Sequence, residues 1–272
     1  MRTSLRITSL AAVAMALAAC SGSASTPTTA PTPTPSPTAP ATTAPPTLTI
    51  AYEENCQAEL IAPSGQRILI DVYDPTRLTS PATSTDILLT THTHSDHYLE
   101  SFETTFPGKK ITNKTTELTV GDIKIKSIVA SHDSSPINPD APSNHIFIIE
   151  FNGFKIVHGG STGQLKLTPE QLSAIGSDVD VAFMVLFNTG GADPNDTKAI
   201  DMIEQVNPKL EIPTHAKLGI IQAAGKDWSA TFSSHKTVTI PHDQLPAQTS
   251  LLLLGRLGPN YGVILKASET KW

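Results

Sequence analysis

The chain has 272 residues, 39% of them hydrophobic and 16% charged, with two cysteines. That composition suits a globular domain and excludes both a membrane-helix bundle and a disulfide-stapled scaffold. Arg2 and Arg6 are the only charges before Glu53, so the 225 residues from Leu48 onward hold 17 of the 19 Lys+Arg against all 25 Asp+Glu, a net charge of −8 with no basic patch; nucleic acid and anionic lipid are set aside as main partners, since binding either rests on neutralising phosphates.

In chain order, Arg2 and Arg6 open a positive segment and Ile7 to Ala16 form an apolar stretch too short for a confident transmembrane span, the pattern of a secretion signal. Leu17-Ala18-Ala19-Cys20 resembles the bacterial lipobox. The resemblance implies that residues 1–19 are removed, that Cys20 is diacylated, and that the protein sits outside the cytoplasm, anchored to a bacterial membrane. Two or three acyl chains anchor stably where one would be marginal. Cys56 is then left without an intramolecular partner, so no internal disulfide is expected and Cys56 reads as a buried, inert thiol. After Cys20, residues 21–47 are almost wholly Ser, Thr, Ala and Pro, with eight prolines and no charge. Such a segment cannot bury enough apolar surface to fold and reads as a disordered tether. At about 3.1 Å per residue it reaches at most about 80 Å.

From Leu48 the pattern turns to short β-branched runs: Leu48 to Tyr52, Arg67 to Val72, Asp86 to Thr91, Ile123 to Val129, His145 to Phe151 and Phe154 to Val157 read as strands. Thr168-Pro169-Glu170-Gln171 marks a helix start, with Thr168 as cap, Pro169 at the first position and Gln171 completing a capping box, and Gly176 ends it. Val179 to Phe187 reads as a buried strand, and a second helix runs from about Asp196 through Ile200, Ile203 and Val206 to Asn207-Pro208. Leu251 to Leu254 is too short to cross a membrane and reads as a core strand. Strands with interspersed helices and no repeat period predict one layered α/β domain over residues 48–272.

The segment richest in chemistry is Asp86-Ile87-Leu88-Leu89-Thr90-Thr91-His92-Thr93-His94-Ser95-Asp96-His97, where an apolar strand runs into three histidines and an aspartate within six residues. Imidazole and carboxylate suit zinc, and ligands on a turn at a strand end converge while the strand fixes them. His-x-His-x-Asp-His, complete here in His92, His94, Asp96 and His97, resembles the signature of the metallo-β-lactamase superfamily. Ile68-Leu69-Ile70-Asp71, Val129-Ala130-Ser131-His132-Asp133, Ile156-Val157-His158-Gly159-Gly160-Ser161-Thr162-Gly163 and Asn207-Pro208 through Thr214-His215 are similar to its ascorbate-6-phosphate lactonase-like branch.

That resemblance implies a four-layer αββα sandwich. It also implies two metals, the first held by His92, His94 and His132 and the second by Asp96, His97 and His215, with Asp96 also the candidate catalytic carboxylate. Three protein ligands per metal leave open positions, the mark of a catalytic site. Two zinc ions can share a hydroxide and polarise the oxygen it attacks, so hydrolysis of a small-molecule ester, lactone, amide or phosphoester is the expected reaction. Zinc is expected over iron because His94 stands where the superfamily's di-iron oxidoreductases carry a glutamate.

One departure qualifies this. Where the family carries an aspartate bridging both metals, this chain has Ser161. The remaining ligands bring one negative charge, from Asp96, against four positive charges, so the second metal is expected to be held weakly. A dinuclear site, a mononuclear site and a scaffold without catalysis all stay open, and with them the competing reading of a metal- or ligand-binding lipoprotein. Asp133, Asp193 or Asp196 are candidates to restore the charge. Asp71 and Asp133 are candidates to orient ligands, and His158 stands between a residue behind the ligands and a core histidine. Gly190, Gly191 and Asp193 are candidates for substrate contact. His145 reads as a strand-end residue, and His235 and His242 as surface residues. Fold alone does not make the chain a β-lactamase.

Overall fold

A computed structural model describes residues 44–53, 55–133, 136–186, 198–216, 227–255, 268–270 and 272. Cys20, Gly190, Gly191, Asp193 and Asp196 lie outside the described residues. In chain order the first half forms β1 (Thr47–Tyr52), β2 (Ala58–Ile61), β3 (Arg67–Ile70), β4 (Ile87–Thr90), α1 (Glu100–Thr105), β5 (Lys109–Thr112), β6 (Thr116–Val120), β7 (Ile123–Ala130), β8 (Asn144–Phe151) and β9 (Phe154–His158). Then come α2 (Pro169–Ile175), β10 (Val181–Val185), α3 (Lys198–Val206), β11 (Leu210–Thr214), β12 (Ser229–Phe232), β13 (Thr237–Pro241), β14 (Ser250–Leu253) and β15 (Ser268–Glu269).

The strands make two sheets, ordered β13-β1-β2-β3-β4-β5 and β15-β12-β14-β11-β10-β9-β8-β7-β6. Alternation along each strand sorts its side chains between layers. From β3 and β4, Ile68, Ile70, Ile87 and Leu89 enter the core shared with Phe147, Ile156, Phe183 and Ile212 of the other sheet. Their neighbours Leu69 and Leu88 face outward and pack with Phe102 and Phe106 at α1. Beyond the second sheet, Ile146, Val157, Ala182, Met184 and Leu251 meet Ile175 of α2 and Ile200 and Ile203 of α3. The result is helix, sheet, sheet, helix, and strands buried on both faces explain the unbroken apolar runs of the sequence. Among the described residues no helix is long and apolar enough to cross a membrane.

Local chemistry explains the element ends. Thr168 accepts from Gln171 N at 3.2 Å while Gln171 Oε1 accepts from Thr168 N at 2.9 Å, the expected capping box. Gly176 ends α2 at φ +68°, donating to Leu172 O. β2 eludes hydropathy because Glu59, between the core residues Ala58 and Leu60, is a charged side chain buried on the outer face, where it meets Arg67 Nη1 at 3.1 Å; the same guanidinium grips both carboxylate oxygens of Asp86 at 3.2 and 2.5 Å. This buried, paired cluster ties β2 and β3 to the start of β4.

Running parallel, β3 and β4 carry the chain to one edge of the first sheet, and β9 and β11 run parallel within the second, flanking β10. β7 shares their direction, being antiparallel to β8, which is antiparallel to β9. Just past the carboxyl ends of these five strands stand Asp71, His92, His132, Ser161 and His215. Carboxyl strand ends are where open α/β sheets place ligands.

One buried acid lies away from that edge. Glu211 on β11 is fully buried; it accepts from Met184 N at 3.0 Å, and its Oε2 has no partner among the described residues. Burial pushes its pKa well above 4.5, against the smaller opposite effect of the Met184 amide. A raised carboxyl pKa gives stability that is complete below the unfolded value and is lost as pH rises toward the folded one. Glu211→Gln is therefore expected to melt at least about 2 °C higher at neutral pH, the shift that about 1 kcal/mol gives in a domain of this size. The gain should vanish near pH 4, as thermal denaturation at the two pH values will show.

Candidate metal centre

His92, His94 and His132 each offer a ring nitrogen within 4.8 Å of the other two. His92 and His94 follow β4 and His132 follows β7, so the two sheets each contribute. The ring centroids are 4.6 Å apart for His92 and His94, 5.0 Å for His92 and His132, and 4.6 Å for His94 and His132. His92 Nε2 is buried without a hydrogen-bond partner among the described residues, while Thr91 Oγ1 lies 3.1 Å from Nδ1. A buried ring nitrogen left bare is costly, and a bound cation removes that cost. Burial first, and then the neighbouring His97, push the His92 pKa down to about 2; burial and His94 likewise lower that of His132. These rings are neutral at pH 7 and keep the lone pairs a metal needs.

A second group comprises His97, His215 and Cys56, whose donor atoms also lie within 4.8 Å of one another. His97 Nδ1 stands 2.8 Å from Asp71 Oδ2, an acceptor that fixes the ring proton on Nδ1 and leaves Nε2 its lone pair. That Nε2 is 3.0 Å from His215 Nε2, and Ser161 Oγ lies 2.8 Å from the first and 3.1 Å from the second. A single hydroxyl proton can serve only one of the two nitrogens. The arrangement fits a cation better than a hydrogen-bond network. His215 has φ +46°, unusual for a residue with a Cβ. Its amide donates to Asn55 O at 2.9 Å, which holds it there. Burial, then His97, push its pKa down to about 4.

Behind both groups lies Asp71, fully buried at φ +50°. It accepts from Thr91 N at 2.7 Å and from Thr91 Oγ1 as well as from His97. Burial works to raise its pKa, but His97, His158 and the Thr91 amide more than offset that and bring it below 3.8. His158, also fully buried, donates from Nε2 to Cys56 O at 3.1 Å and accepts on Nδ1 from Gly160 N. Gly160 sits at φ +58°, and a Cβ there would lie 2.4 Å from Asn144 Oδ1 and 2.7 Å from Thr91. Only glycine lets the turn bring Ser161 up to the histidines.

The structure thus brings together five of the six expected ligands. Asp96 borders the second group: its carboxylate is 46% exposed, and Oδ2 lies 4.0 Å from His97 Nε2. Asp133 meets Ser131 Oγ at 3.4 Å and influences His132 by its charge. His158 is placed as a residue behind the site. His145 is buried against Asn113 and Thr115, and His242 lies 3.3 Å from Asp180. Cys56, read as an inert thiol, is buried as expected but belongs to the second group, and its Sγ donates to Asp96 O at 3.0 Å. Burial, then Asp71 and Asp96, push its pKa up. The loop carrying His132 is tied to α2: Gln171 donates to Val129 O and Gln164, whose Oε1 accepts from Ser131 N.

Because His92, His132 and His215 are neutral in the fold but take up protons below pH 6.5 once unfolded, they cost nothing above that pH and destabilise the metal-free fold as pH falls below it. At about 1.4 kcal/mol per pH unit, His215 alone costs about 2 kcal/mol at about pH 5. The urea midpoint of chelator-treated protein is expected to fall between about pH 7.5 and about pH 5, and to fall less in His215→Gln. Equal drops in the two proteins would contradict this account.

Comparison with known proteins agrees with the geometry. A putatively Zn-dependent hydrolase of the metallo-β-lactamase superfamily from Thermotoga maritima superposes with a TM-score of 0.56 at 22% identity, over 76% of this chain and 98% of that one. A variant of CmlA β-hydroxylase superposes with a TM-score of 0.50 at 13% identity, over 71% of this chain and 54% of that one. At these identities the likeness is one of fold. No curated protein matches in sequence. The family model described as "Beta-lactamase superfamily domain" matches residues 52–215, from the end of β1 to His215. That match spans more than half of the chain, and the protein therefore belongs to the metallo-β-lactamase superfamily.

Proposed function

We propose that the protein is a zinc-dependent hydrolase held at a bacterial membrane through lipidated Cys20, acting on a small-molecule ester, lactone, amide or phosphoester. The observation that carries this reading is the pair of donor groups at one edge of the sandwich, with His92 Nε2 of the first group buried and without a hydrogen-bond partner among the described residues. Nitrogen-rich donor sets suit zinc. Placement beside the ascorbate-6-phosphate lactonase-like proteins is part of the proposal and rests on the motifs around Asp71, His132, His158 and His215.

Zinc bound there would supply a Lewis acid for the attacked oxygen and a water of lowered pKa. The chain's own residues do the rest. Asp71 and Thr91 orient His97 and His92, and His158 and Gly160 hold the turn carrying Ser161. Asp96, partly exposed beside His97, is the carboxylate assigned to take up a proton at Oδ2. The proposed division places His92, His94 and His132 at one metal and His97 and His215, bordered by Asp96, at the other.

Two measurements test this. Turnover of a lactone, ester, amide or phosphoester panel is expected to need bound metal and to fall about 100-fold or more in His94→Ala. Stabilisation by ligands with no turnover would favour the binding lipoprotein instead. Mass spectrometry of the membrane fraction is expected to find an acylated N-terminal Cys20, and an unlipidated start at Ser21 or beyond would remove the tether.

A further inference from the structure

The turn between β1 and β2 serves the second donor group in three ways. Asn55 O, at a residue with φ +73°, receives the His215 amide; Cys56 O receives His158 Nε2; and Cys56 Sγ reaches Asp96 O at 3.0 Å. Tyr52 Oη lies 3.0 Å from Asn55 O and 3.1 Å from Pro213 O, joining this turn to the end of β11. The thiol is thus held from several sides at a fixed place, with its sulfur within 4.8 Å of ring nitrogens of both His97 and His215.

We infer that Cys56 Sγ is a ligand of the metal held by His97 and His215, supplying a thiolate where the neighbouring Ser161 is neutral. The inference rests on the metal-dependent reading above and deepens it. In tetrahedral zinc, with bonds of about 2.3 Å to sulfur and about 2.1 Å to nitrogen, the donors stand about 3.6 Å apart, so the group needs to contract by about 1 Å at most. The two Nε2 atoms, at 3.0 Å, are already close enough.

Charge favours the same assignment. The Asp96 carboxylate is 46% exposed at the border of the group, and the two imidazoles bring no charge to a divalent ion in a buried place, where charge repulsion between two metals is strongest. A thiolate supplies that charge. On coordination the S–H bond breaks, its proton passes to solvent, and the S–metal bond replaces the hydrogen bond to Asp96 O; nothing is oxidised or reduced. A sulfur donor also biases this position toward zinc or cobalt and away from magnesium or manganese. The weak second metal expected from the six motif residues becomes a tight one.

The test uses the full chain carrying Cys20→Ser, so that Cys56 is the only thiol. Metal-free protein is titrated with cobalt(II) while near-ultraviolet absorption and metal content are followed. A thiolate-to-cobalt charge-transfer band is expected as the ion binds. In Cys56→Ser the band should be missing, with one fewer cobalt bound or its affinity lowered about tenfold or more. Cobalt bound without the band overturns the inference and leaves the metal-dependent reading standing, whereas no bound cobalt removes both. Because the band is read in protein that retains Cys56, the outcome does not depend on whether Cys56→Ser folds.

Discussion

The arrangement of the site depends on one buried carboxylate. Asp71 directly follows β3, takes a left-handed backbone conformation and turns its oxygens onto Thr91 and His97. Through Thr91 it fixes the end of β4, from which the histidine segment departs, and through His97 it sets which ring nitrogen faces the second donor group. A carboxylate in an apolar interior is tolerated only when its acceptors are filled, and filling them here forces the histidine loop into one geometry. The acid needs the loop for its hydrogen bonds, and the loop needs the acid for its shape.

Around that contact the sandwich acts as a frame. Period-two alternation sends Ile68 and Ile70 to the central core and Leu69 to the outer one, so the strand bearing Asp71 is packed from both sides. α2 and α3 brace the opposite face, and the capping residue Gln171 reaches through Gln164 to the backbone beside His132. Helix cap and ligand loop are parts of one hydrogen-bond chain, so a single glutamine side chain serves both.

Much of this was legible in the sequence, and what was not has a physical reason. The apolar strands, the capping box and the cluster from His92 to His97 stand out because their information is local: periodicity, a four-residue motif, ligand types within six positions. β2 and β5 escape the same reading because Glu59 is buried against Arg67 and because Lys109 and Lys110 open an edge strand. The family resemblance assigns Asp96 to the metal of His97 and His215; in the fold its backbone oxygen receives Cys56 Sγ and its carboxylate stays partly exposed, 4.0 Å from His97 Nε2. Cys56 lies 40 residues before Asp96 and meets it only through the fold. No local pattern distinguishes such a thiol from a core cysteine.

The donors come from both sheets: His92, His94 and His97 follow β4 of one, whereas His132 and His215 follow β7 and β11 of the other. An ion held between them would therefore rivet the sandwich and resist sliding of one sheet over the other. Apolar packing opposes separation strongly but shear only weakly, since it has no preferred direction. Directional metal–ligand bonds would add what packing lacks, at the edge where the two sheets bring these histidines together.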